Sequence, residues 1–223
     1  MPYDTLALFD LDHTLLPHDT DETWVEFMVD AGHLDRPTFE QASRDLVERY
    51  RRGEAGTIEF TEFYLSTLKP FAPDDLARWQ GEFMRECILP SIPQAARDAV
   101  ARHRESGHLV VLTTATSHWL TAPIAKELGF EHLIATEPEV KEGRFTGRIV
   151  GTPNMREGKV DRLHAWLDDR GASLAAFSES WFYSDSQNDL PLLSHVTHPV
   201  AVNPDAVLAA HARHQGWPQI TIG

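Results

Sequence analysis

The chain has 223 residues, enough to bury a sizeable core as one domain with an insertion or as two small domains. Only 20 Lys and Arg stand against 34 Asp and Glu, a formal charge of −14, so the cationic footprint of a nucleic-acid binder is missing. No apolar run approaches the roughly 18 residues of a membrane span, the opening MPYDTLALFD does not read as a signal peptide, and a single cysteine, Cys87, precludes an internal disulfide and suits a reducing cytoplasm.

In chain order, TLALF (5–9) reads as a short buried strand. From about Pro17 to Pro90 the apolar residues recur at helical spacing: Trp24, Phe27, Met28, Ala31; then Phe39, Ala42, Leu46, Val47, Tyr50; then Phe60, Phe63, Tyr64, Thr67; then Leu76, Trp79, Phe83, Cys87. Gly53 and KPFAPDD separate these segments, and Pro73 with Asp74 is placed to open a helix. After the prolines of LPSIP (89–93) the rhythm changes. A helix over 94–106 ends at Gly107, strand LVVLTT (109–114) follows, and a helix over 117–128 ends at Gly129. Strand HLIAT, a hairpin EVKEGRFTGRIVG turning at Glu142–Gly143, a helix over 156–169, a short helical stretch, strands WFYSD (181–185) and PVAV (199–202), a helix over 204–213 and a last strand PQITI complete the chain. Alternating strands and helices predict an α/β core: a Rossmann-like, doubly wound parallel sheet formed by 1–16 and 91–223, interrupted by a helical cap at 17–90.

Ligands bind at the carboxyl ends of the strands in such sheets. The first strand ends in Asp10 and Asp12, LVVLT in Thr113–Thr114–Ala115–Thr116, and WFYS in Asp185, with Asn188 and Asp189 close behind. Three strands thus deliver carboxylates and hydroxyls to one sheet edge. Two neighbouring buried carboxylates repel each other unless a cation compensates them.

In this order the motifs resemble those of the haloacid dehalogenase superfamily, specifically its phosphoserine-phosphatase-like group with a helical cap after the first motif. DLDHT looks like the family's D-x-D-x-T, LTTAT its threonine/serine motif, Lys159 in REGKVDRL its lysine, and SDSQNDLPLL its acidic motif. The tail AVNPDAVLAAHARHQGWP is similar to that of one bacterial branch, whose members are often assigned as histidinol-phosphatases. The resemblance implies an aspartyl-phosphate formed on Asp10, with Asp12 protonating the leaving alcohol and then activating water. It implies Mg²⁺ held by the Asp10 carboxylate, the Asp12 carbonyl and Asp185, with Asp189 acting through water. Thr114 would donate to a phosphoryl oxygen, with Thr113 as its rival, assisted by the N–H groups of Leu11, Asp12 and Ala115. Lys159 would offset the charge of Asp10 and phosphate, and Asn188 would support the acidic loop.

Phosphoserine phosphatases place a glutamate nine residues after the nucleophile to bind the substrate ammonium, and Asp19 stands there. Where they carry a carboxylate-binding arginine in the cap, IEFTEFYLSTL offers Leu65 or another non-basic neighbour, with Arg51 or Arg52 as substitutes from another turn. A site with an amine-binding acid and no carboxylate-binding base fits histidinol phosphate, with Trp24, Phe27, Phe63 and Tyr64 available for its ring. The rivals are a phosphotransferase, a dehalogenase, which has no use for Asp12 as an acid, and a phosphate-accepting receiver domain, which is roughly half this length. His211 and His214 have a metal-binding spacing but no acid or cysteine nearby in sequence, and His13 occupies a variable position of the first motif. The partner expected is a small phosphate ester; the charge neither requires nor forbids a dimer.

Overall fold

Thr5–Phe9 forms strand β1, buried along its whole length, as a central strand covered on both faces must be. The structure, a computed structural model, describes residues 3–222. Four helices follow before the sheet resumes: α1 (Thr20–Asp30), α2 (Arg36–Arg51), α3 (Thr57–Ser66) and α4 (Pro73–Phe83). Asp19 and Asp35 cap the first two through their side chains, and prolines occupy the first turns of α2 and α4, where a missing N–H costs nothing. α4 runs on without a break through a π turn (Met84–Ile88) and a 3₁₀ turn to Ser91.

The rest alternates as α5 (Gln94–Glu105), β2 (Leu109–Ser117), α6 (His118–Glu127), β3 (His132–Lys141), β4 (Arg144–Val150), α7 (Glu157–Asp168), β5 (Glu179–Ser184), α8 (Leu190–Leu193), β6 (His198–Val202), α9 (Ala206–Gln215) and β7 (Gln219–Ile220). The seven strands form one sheet in the order β4-β3-β2-β1-β5-β6-β7, parallel except for the β3–β4 hairpin. The chain leaves β1 towards β2 on one side and returns to β5 on the other, which opens a crevice at the carboxyl end of β1. One face packs on α5 and α6 through Ala99, Val100, Leu120 and Ile124; the other packs on α7, α8 and α9 through Leu163, Leu167, Leu193 and Leu208. Among the described residues no helix is long and apolar enough to cross a membrane.

The helical insertion is rooted in the sheet's own core. Trp24, Met28, Leu76, Trp79 and Phe83 belong to the same apolar cluster as Phe9 and Leu112, and Trp24 meets Phe83 and Trp119 edge-on at 5.3 and 5.4 Å. Each such ring contributes on the order of 1.5–3 kcal/mol by leaving water. α3 lies on the hairpin, where Glu62 Oε1 accepts from Ile149 N–H (3.2 Å). Gly147, at φ +82°, lets the Ser66 backbone approach, since an added Cβ would stand 3.2 Å from Ser66 Cα. The two junctions of the insertion touch, His18 Nε2 lying 2.8 Å from Ser91 Oγ.

Several elements differ from their sequence pattern. HLIAT and the first hairpin arm are one continuous strand, β3, whose pairing with β4 shifts register beside Pro138, a residue that has no N–H to donate. β2 continues past the apolar run to Ser117, because its polar end still pairs with β3 across a bulge between Thr114 and Ser117. β5 stops at Ser184, leaving Asp185 free of the ladder, and β7 is reduced to Gln219–Ile220.

Candidate active site

Asp10 follows β1 directly, its N–H still donating to Tyr183 O of β5 (2.9 Å). The chain then turns sharply: Thr14, Leu15 and Leu16 all donate to Leu11 O, and His13 takes a left-handed φ of 56°. This turn separates two carboxylates only two residues apart into different surroundings.

Asp10 faces Lys159, the third residue of α7. Lys159 Nζ is buried and donates to Asp10 Oδ1 (2.9 Å) and Asp189 Oδ2 (2.8 Å); Ser184 Oγ donates to the same Asp189 oxygen (2.7 Å). Gly158 lets the first turn of α7 lie against Thr152 and Pro153, because a Cβ there would collide with Pro153 O and Thr152 Cγ2. Asp12 instead turns towards α1 and β2. Its Oδ1 accepts from Thr20 N–H (2.8 Å) and the Thr20 hydroxyl, and its Oδ2 accepts from Thr116 Oγ1 (2.8 Å). Thr14 joins the first and third motifs: Asp185 N–H donates to its hydroxyl oxygen (3.0 Å), whose proton lies between Asp185 Oδ1 (3.2 Å) and Asp10 Oδ2 (3.5 Å).

Crowding shows in the protonation of the group. Desolvation raises Asp10 to about 6, Lys159 opposing and Asp189 adding to it. Desolvation, then the charge of Asp19, raises Asp12 to about 8. Desolvation, with Asp10 and Asp189, likewise raises Asp185 to about 8. Desolvation pulls Lys159 down, but its two aspartates outweigh it and hold the ammonium above its ordinary range. The site thus carries more buried carboxylate than its lysine balances.

A cavity of about 180 Å³ opens above these groups, lined by Asp10, Asp12, Asp185 and Asp189 below and by Phe60, Thr61 and Tyr64 of α3 on the helical side. Lys159, Asn188, Ala115, Asp19 and His13 also line it, so residues singled out from four separate stretches of sequence meet here. Asp19 spends Oδ1 on capping α1, accepting from Glu22 N–H (2.8 Å). Asp189 spends one oxygen on Lys159 and Ser184. Asn188 Oδ1 accepts from Arg156 Nε (3.2 Å), whose guanidinium lies over the Tyr50 ring (5.3 Å).

The threonine motif divides. Thr113 Oγ1 accepts from Asn154 Nδ2 (3.0 Å), in a buried knot where the same amide also reaches Thr114 O and Ile134 O. Thr114 Oγ1 accepts from Thr116 N–H (3.2 Å), and the cavity wall here is Ala115 and Thr116, with Thr114 one residue behind. Of the four aromatics expected around a ring, Tyr64 alone lines the cavity. Trp24 and Phe27 pack in the core and Phe63 packs at a tilt on Phe39 (4.9 Å) outside the cavity, because their helix faces point away. Leu65 is buried in the core; the Arg51 side chain lies outside the described residues, and Arg52 is exposed beside Glu54 (3.0 Å). His211 packs edge-on to Trp217 (4.8 Å) and takes no part in the site. Sequence reading passed over Thr20, Asp21 and Ser184; Thr116, at the end of LVVLTTAT, and Thr14, the last residue of D-x-D-x-T, carried a signal but were given no role of their own.

The chain belongs to the haloacid dehalogenase-like hydrolase family, whose model matches residues 7–194. It is 38% identical over 214 residues to a histidinol-phosphatase of Neisseria meningitidis serogroup C (strain 8013), covering 96% of each chain, and it is an enzyme of the phosphatase kind. A solved structure of a protein of unknown function from Bordetella pertussis Tohama I superposes with a TM-score of 0.93 at 49% identity, covering 98% of each chain. A substrate-bound phosphoserine phosphatase shares the fold at a TM-score of 0.67 and 17% identity, covering all of this chain and 94% of that one.

Proposed function

We propose that the enzyme hydrolyses a small amine-bearing phosphate monoester, histidinol phosphate above all, through a phosphoryl group carried on Asp10. The observation that carries this reading is the divergent housing of two adjacent carboxylates. Asp10 is held ionised and aimed by Lys159, as a nucleophile requires, while Asp12, raised to about 8, holds a proton at neutral pH, as a general acid requires. The Thr20 and Thr116 hydroxyls fix Asp12 so that it gives this proton to the leaving alcohol and later takes one from water. Lys159 offsets the charge gathering on Asp10 and the phosphoryl oxygens. Thr114 still has its hydroxyl proton to give, since its oxygen acts only as acceptor among the described residues.

The donor set fits Mg²⁺. Among the described residues no three His, Cys, Asp or Glu side chains make a metal group by themselves. Asp10 and Asp185 offer two hard oxygens, and the Asp12 carbonyl and water would complete the shell. When bound, the ion supplies positive charge that lets a carboxylate approach a phosphate dianion. Asp189, occupied by Lys159, would reach it through water.

Asp19 takes the substrate amine through its remaining oxygen. The cavity's helical wall of Phe60, Thr61 and Tyr64 has no basic residue to receive a substrate carboxylate, which favours histidinol phosphate over phosphoserine. In this reading residues 17–90 act as the cap that selects the ester. With Mg²⁺, phosphate release should be fastest from histidinol phosphate, ahead of phosphoserine, phosphoethanolamine and an aryl phosphate. Good turnover of phosphoserine with none of histidinol phosphate would overturn the assignment.

The surplus carboxylate also sets the response to pH and metal. Asp10, Asp12 and Asp185 are raised in the folded state, so between the ordinary carboxylate range and about pH 8 the folded protein holds more protons than the unfolded chain. Stability in EDTA is therefore greatest at low pH within this window and falls as pH rises through it. Saturating Mg²⁺ should raise the Tm on the order of 5–10 °C at pH 8, and less at pH 5. Melts that show neither the pH slope nor the Mg²⁺ shift would remove the cation from this site.

A further inference from the structure

We propose that Asp21, together with the ring of Tyr64, forms a second cation-binding position in the cavity beside Asp19, so that the enzyme selects esters carrying a cationic ring as well as an amine. This rests on the reading of the cavity as the site of an amine-bearing phosphate ester, and adds the residue that reads the rest of the molecule.

Asp21 stands in the first turn of α1 and lines the cavity with Asp19. A carboxylate in a first helical turn is ordinarily explained by the helix dipole, and Glu22 already serves that purpose from the exposed side. Asp21 differs in lining the cavity, partly buried, with most of its hydrogen-bonding capacity unspent among the described residues. Its one contact is a long 3.5 Å approach from Thr116 Oγ1, whose nearer acceptor is Asp12 at 2.8 Å. The ion pairs of the cavity are those of Lys159 with Asp10 and Asp189, and neither reaches Asp21. Because Thr116 is shared with Asp12, Asp21 keeps acceptor capacity that a bound cation would take up. Burial and the charges of Asp19 and Asp12 hold Asp21 well above the usual carboxylate range, in keeping with an unmet demand for positive charge.

The opposite wall supplies the second element. Tyr64 and Phe60 project from α3 into the same cavity, their rings edge to face at 5.7 Å. The Tyr64 hydroxyl is held above its ordinary range by desolvation and by the charges of Asp19, Glu22 and Asp21. An aromatic ring and a carboxylate lining one cavity suit a flat cation that stacks on the one and donates N–H to the other, and an imidazolium does both. Asp19 then remains for the amine, one carboxylate to each positive group.

The test is a double comparison on the Mg²⁺-loaded enzyme, using histidinol phosphate, phosphoethanolamine and an aryl phosphate, with inhibition by free histidinol as a readout independent of chemistry. For Asp21→Asn the ratio of kcat/KM for histidinol phosphate to that for phosphoethanolamine should fall about ten-fold or more, mostly through KM, with a matching weakening of histidinol inhibition. Tyr64→Leu should lower the same ratio and Tyr64→Phe should retain it, which also carries the test if Asp21→Asn does not fold. An unchanged ratio in both Asp21→Asn and Tyr64→Leu, with the wild type still preferring histidinol phosphate, would overturn the second position and leave the substrate reading intact. A wild type that turns over phosphoethanolamine as well as histidinol phosphate would overturn both.

Discussion

Asp10→Asn is expected to abolish phosphate release, by about 10⁴-fold or more, while leaving the fold intact. Asparagine has nearly the same shape and still offers Lys159 an oxygen, and Lys159 keeps Asp189 at 2.8 Å, so no buried ammonium is left unpaired. The substitution also removes one of several carboxylates that repel each other. The metal-free variant should therefore melt no lower than the parent at pH 8, and it should acquire no acid-stable phosphoryl label from substrate. Loss of activity with an unchanged melting curve separates chemistry from stability. Substantial turnover by the variant would exclude Asp10 as the attacking group. This is the behaviour of a site that holds strain for function, where the residue that matters most for rate contributes least to stability.

Asp12→Asn should behave differently. Its neighbours tolerate the amide: the oxygen can keep Thr20 N–H, and the Thr116 hydroxyl can rotate to accept from the new NH₂. In the proposed mechanism, what is lost is the proton that Asp12, raised to about 8, would carry at neutral pH, and with it the base for the second half-reaction. Turnover of an alkyl ester should fall about 10²–10⁴-fold. An aryl phosphate has a leaving group that needs little protonation, so the first step should survive better than the second. Rapid mixing should then show a burst of aryl alcohol followed by slow turnover. A variant that slows alkyl and aryl esters equally, with no burst, would assign the proton transfers to another group. For the parent enzyme, the leaving-group step should weaken as pH rises through about 8 and Asp12 loses its proton.

Much of this was legible along the chain. The period of the apolar residues announces most strands and helices of the core, and the prolines of 89–93 mark where the insertion returns to the sheet. Asp10, Asp12, Asp185 and Asp189 could be singled out because strand ends in a parallel sheet converge at one edge, and Lys159 because REGKVDRL resembles the family's lysine motif. Spacing along a chain reports which face of an element is apolar, and that is local information.

The partners of each group are not local. Lys159 finds Asp10 across 149 positions and Thr116 finds Asp12 across 104, so tertiary structure alone decides which carboxylate is paired with a cation and which is left to hold a proton. The same holds for the cavity wall. Phe63 and Tyr64 are adjacent in sequence, yet the rotation of α3 against β4 sends one to Phe39 and the other to the site. Asp21 reads in sequence as an ordinary acidic first turn, and only the docking of α1 against the end of β2 turns it inward. The sequence by itself determined the sheet, through periodicity, and the family, through motifs at strand ends that resemble those of its members. Only the packing of the helical insertion on the sheet edge decided how the charges are shared and which side chains line the cavity, since both depend on contacts between segments far apart in the chain.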